Sequence, residues 1–225
     1  MTVCGRGLCP VILFKVFLFE RRRTVKRTDF YAELEASRKI ASIKDEKFLE
    51  KALDADVGAV VLSIGNIGNI TRYVQLYKSH GIFVFVHPER IGGMSQDKEG
   101  IAFLARCVKP DGIVTTRNSL IKQAKKHGLL TIQRFFLVDS DAIKSSLESV
   151  RETAPDAVEI MPGLLPEFIT EFRRHICVPV IAGGLLSNRN QMVKALRNGA
   201  IAVSMGNHRL WREKVNGEPY SLSAV

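Results

Sequence analysis

Cysteine is scarce in this sequence of 225 residues, which contains four cysteines and one tryptophan. Two of the cysteines stand within the first nine residues, and Cys107 and Cys177 lie far apart. A disulfide-stabilised secreted domain needs a denser framework, and a cysteine metal site needs closer spacing. We therefore expect a cytoplasmic protein with reduced thiols, no bound metal and no cofactor.

Long hydrophobic runs are also missing. The most apolar segment, residues 10–20, is interrupted by Lys15 and is shorter than the roughly 20 residues that a membrane span requires. A secretory signal places its basic residues before the apolar run, whereas here Arg21, Arg22 and Arg23 follow it. We expect no membrane span and interpret residues 1–27 as an extension outside the fold, with an interfacial anchor as the alternative.

The net charge of +10 is unevenly distributed. Residues 1–27 contain seven basic residues and one acidic residue, which leaves only +4 for the rest of the chain. This moderate excess permits a polyanionic partner without requiring one.

Eight short apolar runs alternate with helical patterns from residue 37 onward. They are continuous runs rich in Val and Ile, which is typical of parallel strands buried on both faces. The predicted strands are residues 39–44, 57–64, 82–87, 112–116, 129–135, 156–161, 178–184 and 200–206. The predicted helices are residues 45–53, 67–80, 96–108, 118–127, 141–153, 165–175 and 189–198.

Eight strands separated by helices predict a single-domain α/β fold, the (β/α)₈ TIM barrel, over residues 28–215, followed by a tail at 216–225. A short polar turn recurs before the strands, at Asp56, Asp111 and Asp156. An open doubly wound sheet is the alternative, but the eight βα units show no evident switch point.

Glycine ends the last two predicted strands. The seventh reads VPVIAGG up to Gly183 and Gly184, and the eighth reads AIAVSMG, with Ser204 and Gly206. Ligands of this fold bind at the C-terminal ends of the strands, and phosphates favour the loops after strands seven and eight. We predict a phosphate site at these four residues, where bare backbone N–H groups can approach an anion. Tight turns without a ligand are the alternative.

Polar side chains end the other strands and predict a ligand-binding mouth. A charged Glu159 inside an apolar strand requires a partner, for which Arg134 and Lys44 are the candidates. The residues predicted to read the non-phosphate part of a ligand are Lys44, His87, Glu89, Arg117, Arg134, Glu159 and Gly163.

The same residues are also compatible with an enzymatic function. Lys44 could form a Schiff base, and Glu159 with His87 could transfer a proton, as in a lyase or isomerase. The sequence contains no P-loop, metal-ligand spacing or nucleophile elbow, and we assign no catalytic residue.

Several segments resemble the glycerol-3-phosphate responsive antiterminator family, over about residues 29–213. The resemblance rests on TR after strand four, IQRFFLVDS at strand five, EIMPG at strand six, AGGL at strand seven and ALRNGAIAVSMGNHRLW at strand eight. It implies a TIM barrel that binds glycerol 3-phosphate and acts on the leader mRNA of a glycerol operon to promote antitermination. It leaves open whether the protein self-associates.

The sequence departs from the family pattern after strands three and eight. The family has His, an aliphatic residue and Asp where this chain has His87, Pro88 and Glu89, and Arg90 replaces an aliphatic residue. Met205 and Gly206 stand where the family offers a hydroxyl. These changes could alter the choice among small phosphorylated polyols.

No RNA-recognition motif is present, so the resemblance alone implies RNA binding. Basic positions on three predicted helices could neutralise RNA phosphates, although an ordinary solvated surface would look the same. The candidates are Lys122, Lys125, Lys126, Arg173, Arg174, Arg189, Lys194 and Arg197.

Overall fold

The computed structural model describes residues 27–215, which form a closed barrel of eight parallel strands. The strands are β1 (Lys39–Ile43), β2 (Ala59–Leu62), β3 (Phe83–Val86), β4 (Gly112–Thr115), β5 (Leu130–Phe136), β6 (Ala157–Met161), β7 (Val180–Gly183) and β8 (Ala202–Met205). Ile40 of β1 pairs with Ser204 of β8, which closes the barrel. The predicted barrel is confirmed, and the open-sheet alternative is wrong.

Within residues 27–215, eight α-helices accompany the strands. They are α1 (Arg27–Ser37), α2 (Leu49–Leu53), α3 (Ile70–Lys78), α4 (Lys98–Phe103), α5 (Asn118–Lys126), α6 (Ser140–Thr153), α7 (Pro166–His175) and α8 (Arg189–Arg197). Short 3₁₀ turns at Glu46–Phe48, Pro88–Arg90 and Leu210–Arg212, and a π-helical turn at Leu104–Val108, complete the layer. No helix among these residues is long and apolar enough to cross a bilayer.

Helix α1 was not predicted, although it closes one end of the barrel. Its Phe30 is fully buried, with ring centroids 5.5 Å from Phe83 and 4.9 Å from Phe85. Leu34 is buried in the same cluster. Because side chains alternate along a strand, one set from each strand fills the barrel interior with these residues, and the other set packs under the helices.

The recurrent aspartates stabilise the N-terminal end of the barrel. Asp111 accepts a 2.8 Å hydrogen bond from the N–H of Val84, and Asp156 accepts one of the same length from the N–H of Thr131. Each buried carboxylate thus ties the start of its strand to the preceding strand. Asp56 differs, because its side chain is exposed and lies 3.8 Å from the Nζ of Lys39.

The predicted extension at residues 1–27 and the predicted tail at 216–225 lie outside the described residues, apart from Arg27. Arg27 begins α1, and its Nη2 lies 2.5 Å from Oδ1 of Asp156. The barrel therefore includes Arg27, one residue before the predicted boundary.

Candidate ligand-binding site at the barrel mouth

A buried ion pair lies at the centre of the mouth, formed by Arg134 and Glu159. The two residues are register partners on β5 and β6, and Nε of Arg134 donates to Oε2 of Glu159 over 2.7 Å. Their side chains are only 10% and 2% exposed. A carboxylate in this environment is tolerated only when it is paired, so the tertiary structure selects Arg134 over Lys44 as its partner.

The other oxygen of Glu159 faces the end of β7. A Cβ built on Gly183 would lie 2.5 Å from Oε1 of Glu159 and 3.0 Å from Cε of Met161, so glycine leaves the space that the carboxylate occupies. Oε1 is buried and has no hydrogen-bond partner among the described residues, and the same holds for Oγ of Ser204. Because Ser204 pairs with Gly183 in the β7–β8 register, these polar atoms lie in one region of the mouth.

His87 and Glu89 extend the polar region to the β3 side. Nε2 of His87 lies 3.6 Å from Oε2 of Glu89. Burial, together with the positive charges of Arg134, Arg90 and Lys44, lowers the pKa of His87 to about 4. At neutral pH the ring is therefore uncharged, and its Nδ1 is buried without a partner among residues 27–215.

Thr115 holds Glu89 in place, a role that the sequence reasoning missed. The hydroxyl of Thr115 donates to Oε1 of Glu89 and accepts a 3.1 Å hydrogen bond from the N–H of Arg117. The guanidinium of Arg117 is half-exposed, with Nε 4.0 Å from the same carboxylate oxygen. Oε2 of Glu89 is buried and has no hydrogen-bond partner among the described residues, so it is the oxygen that remains at the mouth. The adjacent TTR motif was the signal that could have identified Thr115.

The loop after β7 has the backbone that anion binding requires. Gly184 has φ +75°, and Leu185, also left-handed at φ +59°, leaves its side chain exposed. The N–H groups of these two residues donate to no acceptor within residues 27–215. The loop leads into α8, whose N-terminus is capped by Asn188 through a 3.0 Å hydrogen bond from the N–H of Gln191. Free N–H groups near a helix N-terminus favour an anion.

Gly206 and Lys44 place a cation where the ends of β8 and β1 meet. A Cβ on Gly206 would lie 3.8 Å from Cε of Lys44 and 3.6 Å from the carbonyl oxygen of Ser42, which shows that the β8 and β1 ends meet here. The Lys44 side chain is exposed at the rim. The four predicted phosphate residues thus lie on the adjacent ends of β7 and β8.

Gly163 has a structural task at the mouth. Its N–H donates to the carbonyl of Gly183 over 2.6 Å, and a Cβ here would lie 3.1 Å from the Gly183 backbone. The glycine lets the loop after β6 pack directly on the end of β7. Its N–H is therefore engaged by the protein backbone.

Two motif residues at strand five are structural as well. Gln133 is fully buried and joins α5 to α6, donating to Asn118 over 2.7 Å and accepting from Thr153 over 2.6 Å. Asp139 caps α6 by accepting from the N–H of Ala142 over 2.7 Å.

The predicted RNA-binding cations differ in whether their charge is already paired within the protein. Lys122 lies 2.5 Å from Glu152, and Lys125 donates to carbonyls at the end of α6. Arg174 lies 3.1 Å from Glu171, and Nε of Arg189 donates to the carbonyl of Lys214 over 2.8 Å. Of the remainder, Arg173 lies against Gly199, and three side chains are exposed: Lys126, Lys194 and Arg197.

No group of three or more His, Cys, Asp or Glu side chains within residues 27–215 could hold a metal ion. Charge at the mouth is supplied instead by the ion pair of Arg134 and Glu159 and by the rim residues Lys44 and Arg117. This arrangement can bind a small ligand that carries an anion at one end and hydroxyl groups at the other.

Comparison with known proteins identifies related chains. Residues 39–211 match the family model described as glycerol-3-phosphate responsive antiterminator. The chain is 33% identical over 172 residues to YgcP, an uncharacterised protein of Escherichia coli (strain K12), covering 76% of this chain and 90% of that protein.

Two solved structures are also similar. The glycerol uptake operon antiterminator regulatory protein from Listeria monocytogenes str. 4b F2365 is 33% identical, with a TM-score of 0.73, covering 77% of this chain and 94% of that chain. A glycerol uptake operon antiterminator-related protein from Thermotoga maritima MSB8 is 26% identical, with a TM-score of 0.69, covering 78% and 98%.

Proposed function

The chain belongs to the glycerol-3-phosphate responsive antiterminator family, and from this premise we propose that it senses glycerol 3-phosphate and regulates transcription. In this proposal the ligand binds at the C-terminal mouth of the barrel. The ligand-bound protein then binds the leader mRNA of a glycerol-utilisation operon and promotes antitermination.

The observation that carries the proposal is the set of buried polar atoms at the mouth without partners among the described residues: Oε1 of Glu159, Oγ of Ser204, Nδ1 of His87 and Oε2 of Glu89. A buried polar group without a hydrogen bond costs about 1–3 kcal/mol. A ligand that pairs with these atoms therefore removes a cost that the protein alone bears.

The chemistry of these atoms suits a phosphorylated polyol. The free N–H groups of Gly184 and Leu185 supply donors for a phosphate, and Lys44, beside Gly206 at the end of β8, supplies positive charge. The carboxylates of Glu159 and Glu89 can accept hydrogen bonds only, which suits the hydroxyl groups of a glycerol moiety. Neutral His87 can donate or accept.

A catalytic barrel is less well supported. A Schiff-base lysine has to be desolvated or placed beside other cations, whereas Lys44 is exposed at the rim. Glu159 is held by Arg134 at 2.7 Å, and an ion-paired carboxylate is a weak base. Turnover would instead require a group with a pKa near the working pH.

Titration calorimetry with glycerol 3-phosphate, dihydroxyacetone phosphate, glycerol and inorganic phosphate tests the ligand. We expect glycerol 3-phosphate to bind most tightly, and ³¹P NMR to recover it unchanged after incubation. Conversion of the phosphate ester to another compound would establish the enzyme in place of the sensor.

Binding of a transcript of the glycerol-operon leader tests the output. We expect glycerol 3-phosphate to tighten that binding, because a ligand shifts a conformational equilibrium when it binds one state better. Tight ligand binding without any effect on the transcript would leave a sensor with a different output. The affinity should also fall steeply with salt, as contacts to several phosphates require.

A further inference from the structure

Acidic residues are absent from one long stretch of the chain. Residues 172–212 contain seven Lys and Arg residues and neither Asp nor Glu. Residues 28–225 as a whole carry +4, so the remainder of that region is net acidic by three charges. The positive charge of the barrel is therefore concentrated in this stretch.

The barrel topology gathers this stretch into one sector of the wall. It comprises the end of α7, strand β7, helix α8, strand β8 and the 3₁₀ turn at Leu210–Arg212, and β7 and β8 are neighbours. We call this part of the surface the acid-free sector. Its exposed cations are Arg174, Arg189, Lys194, Arg197, Arg209 and Arg212.

Carboxylates neutralise the cations only at the edges of the acid-free sector. Arg174 lies 3.1 Å from Glu171, and Arg212 lies 3.6 Å from Asp54. Lys194, Arg197 and Arg209 form no ion pair with any carboxylate in residues 27–215. Lys194 and Arg197 stand three residues apart on α8, which places them side by side on its surface.

The competing basic surface on α5 differs in this respect. Lys122 is paired with Glu152 at 2.5 Å, and Lys125 is engaged by the carbonyls that end α6. Binding of these side chains to an outside polyanion would first break contacts within the protein. Lys194, Arg197 and Arg209 form no such contact with a carboxylate of residues 27–215, so their binding to a polyanion carries no such cost.

Helix α8 is also connected to the proposed phosphate-binding loop, residues 184–188 after β7. It begins at Arg189, five residues after Gly184, and the intervening Leu185 holds a left-handed backbone. The N–H of Ser187 donates to Gln191 over 2.7 Å, which links the loop to the first turn of the helix. A phosphate bound by the N–H groups of this loop would therefore lie on the segment that leads into α8.

From these observations we propose that the acid-free sector, with Lys194 and Arg197 at its centre, is the surface that binds the RNA phosphate backbone, and that α8 transmits ligand binding from the mouth to that surface. This inference rests on the proposed function, because RNA is the polyanion that an antiterminator contacts. It assigns the RNA to one face of the barrel.

Two double variants with the same change in net charge test the surface. Lys194→Glu/Arg197→Glu alters the acid-free sector, and Lys144→Glu/Arg151→Glu alters an exposed lysine and an exposed arginine on α6. Binding of the leader transcript is measured for both variants and for the unmodified protein, at several salt concentrations and with saturating glycerol 3-phosphate. Calorimetry with glycerol 3-phosphate and thermal melting serve as folding controls.

We expect the α8 variant to lose about tenfold or more in RNA affinity while ligand binding and melting temperature are retained, and the control to stay within about twofold. The neutral variant Lys194→Gln/Arg197→Gln should reduce the slope of log K against log salt by about 1.4, for two contacts to single-stranded RNA. Equal RNA affinities of the α8 and control variants would show that the acid-free sector is not the RNA-binding surface. Binding to anionic phosphatidylglycerol vesicles in place of the transcript would overturn RNA as its partner.

The unmodified protein separates this inference from the proposed function. If it fails to bind the transcript with or without glycerol 3-phosphate, the proposed function is wrong, and so is the assignment of the RNA-binding surface. If it binds and the α8 variant binds equally well, only the assignment of the RNA-binding surface is wrong.

Discussion

Arg134 and Glu159 pair across strands β5 and β6 through a single hydrogen bond of 2.7 Å, and the second oxygen of Glu159 faces Gly183 of β7. One carboxylate thus serves two purposes. Oε2 compensates a buried guanidinium, and Oε1 remains for a ligand. If the proposed ligand binds Oε1, the stability of the barrel and the binding of the ligand are coupled at this residue.

Replacing Glu159 alone should be more harmful than replacing the pair. Glu159→Leu leaves the Arg134 guanidinium buried and unpaired, so we expect a loss of about 3–5 kcal/mol in the free energy of unfolding. Arg134→Met/Glu159→Leu, with two apolar residues of similar volume, should recover most of it. Urea denaturation of Glu159→Leu, Arg134→Met and the double variant measures the coupling free energy between the two side chains. Additive losses would show that the two side chains act independently.

A side chain at position 184 should weaken ligand binding, in addition to straining the backbone. Gly184→Ala places a side chain at φ +75°, which costs about 1 kcal/mol of stability. Gly128→Ala is a matched control, because Gly128 has φ +72° and a Cβ there would contact nothing within 4 Å. We expect both variants to lose similar stability and only Gly184→Ala to lose affinity for glycerol 3-phosphate in calorimetry. Equal affinities would remove the β7 loop from the phosphate site.

The stability of the protein should fall between pH 6.5 and 4 because of His87. Its pKa is about 4 in the folded protein, below the 6.5 of an unperturbed histidine, so the unfolded chain binds more protons in this window. This contribution is fully present above pH 6.5 and is lost as the pH falls through the window, by roughly 2–3 kcal/mol. Urea unfolding of His87→Asn at each pH provides the comparison. A variant with the same pH dependence as the unmodified protein would contradict the assignment.

Phe30 should be essential to the closed end of the barrel. Phe30→Ala removes a fully buried ring that packs on Phe83 and Phe85, so we expect a loss of about 3–5 kcal/mol. Glu35→Ala on the exposed face of the same helix should change the free energy of unfolding by less than about 0.5 kcal/mol. Chemical denaturation of both variants tests this, and similar losses would mean that α1 contributes by helix formation alone.

The order of the elements could be predicted from the sequence, since it depends on local patterns. Seven of the eight apolar runs contain the whole of an observed strand, such as Val180–Gly183 within the predicted residues 178–184, and the fifth run ends one residue before β5 does. The glycines at the ends of β7 and β8 and the buried charge of Glu159 also stood out, because a bare backbone and an unpaired carboxylate are unusual inside strands. Helix α1 was missed because its one buried face, with Phe30 and Leu34, is too sparse to form a clear period.

The partners of these residues were decided by the tertiary structure. Whether Glu159 pairs with Arg134 or Lys44 depends on the β5–β6 register, and the neutralisation of Lys122 depends on Glu152, thirty residues later. Sequence shows which side chains are charged, whereas closure of the barrel decides which charges meet. For the same reason the acid-free residues 172–212 are visible in the sequence, but only the adjacency of β7 and β8 turns them into one surface beside the loop after β7.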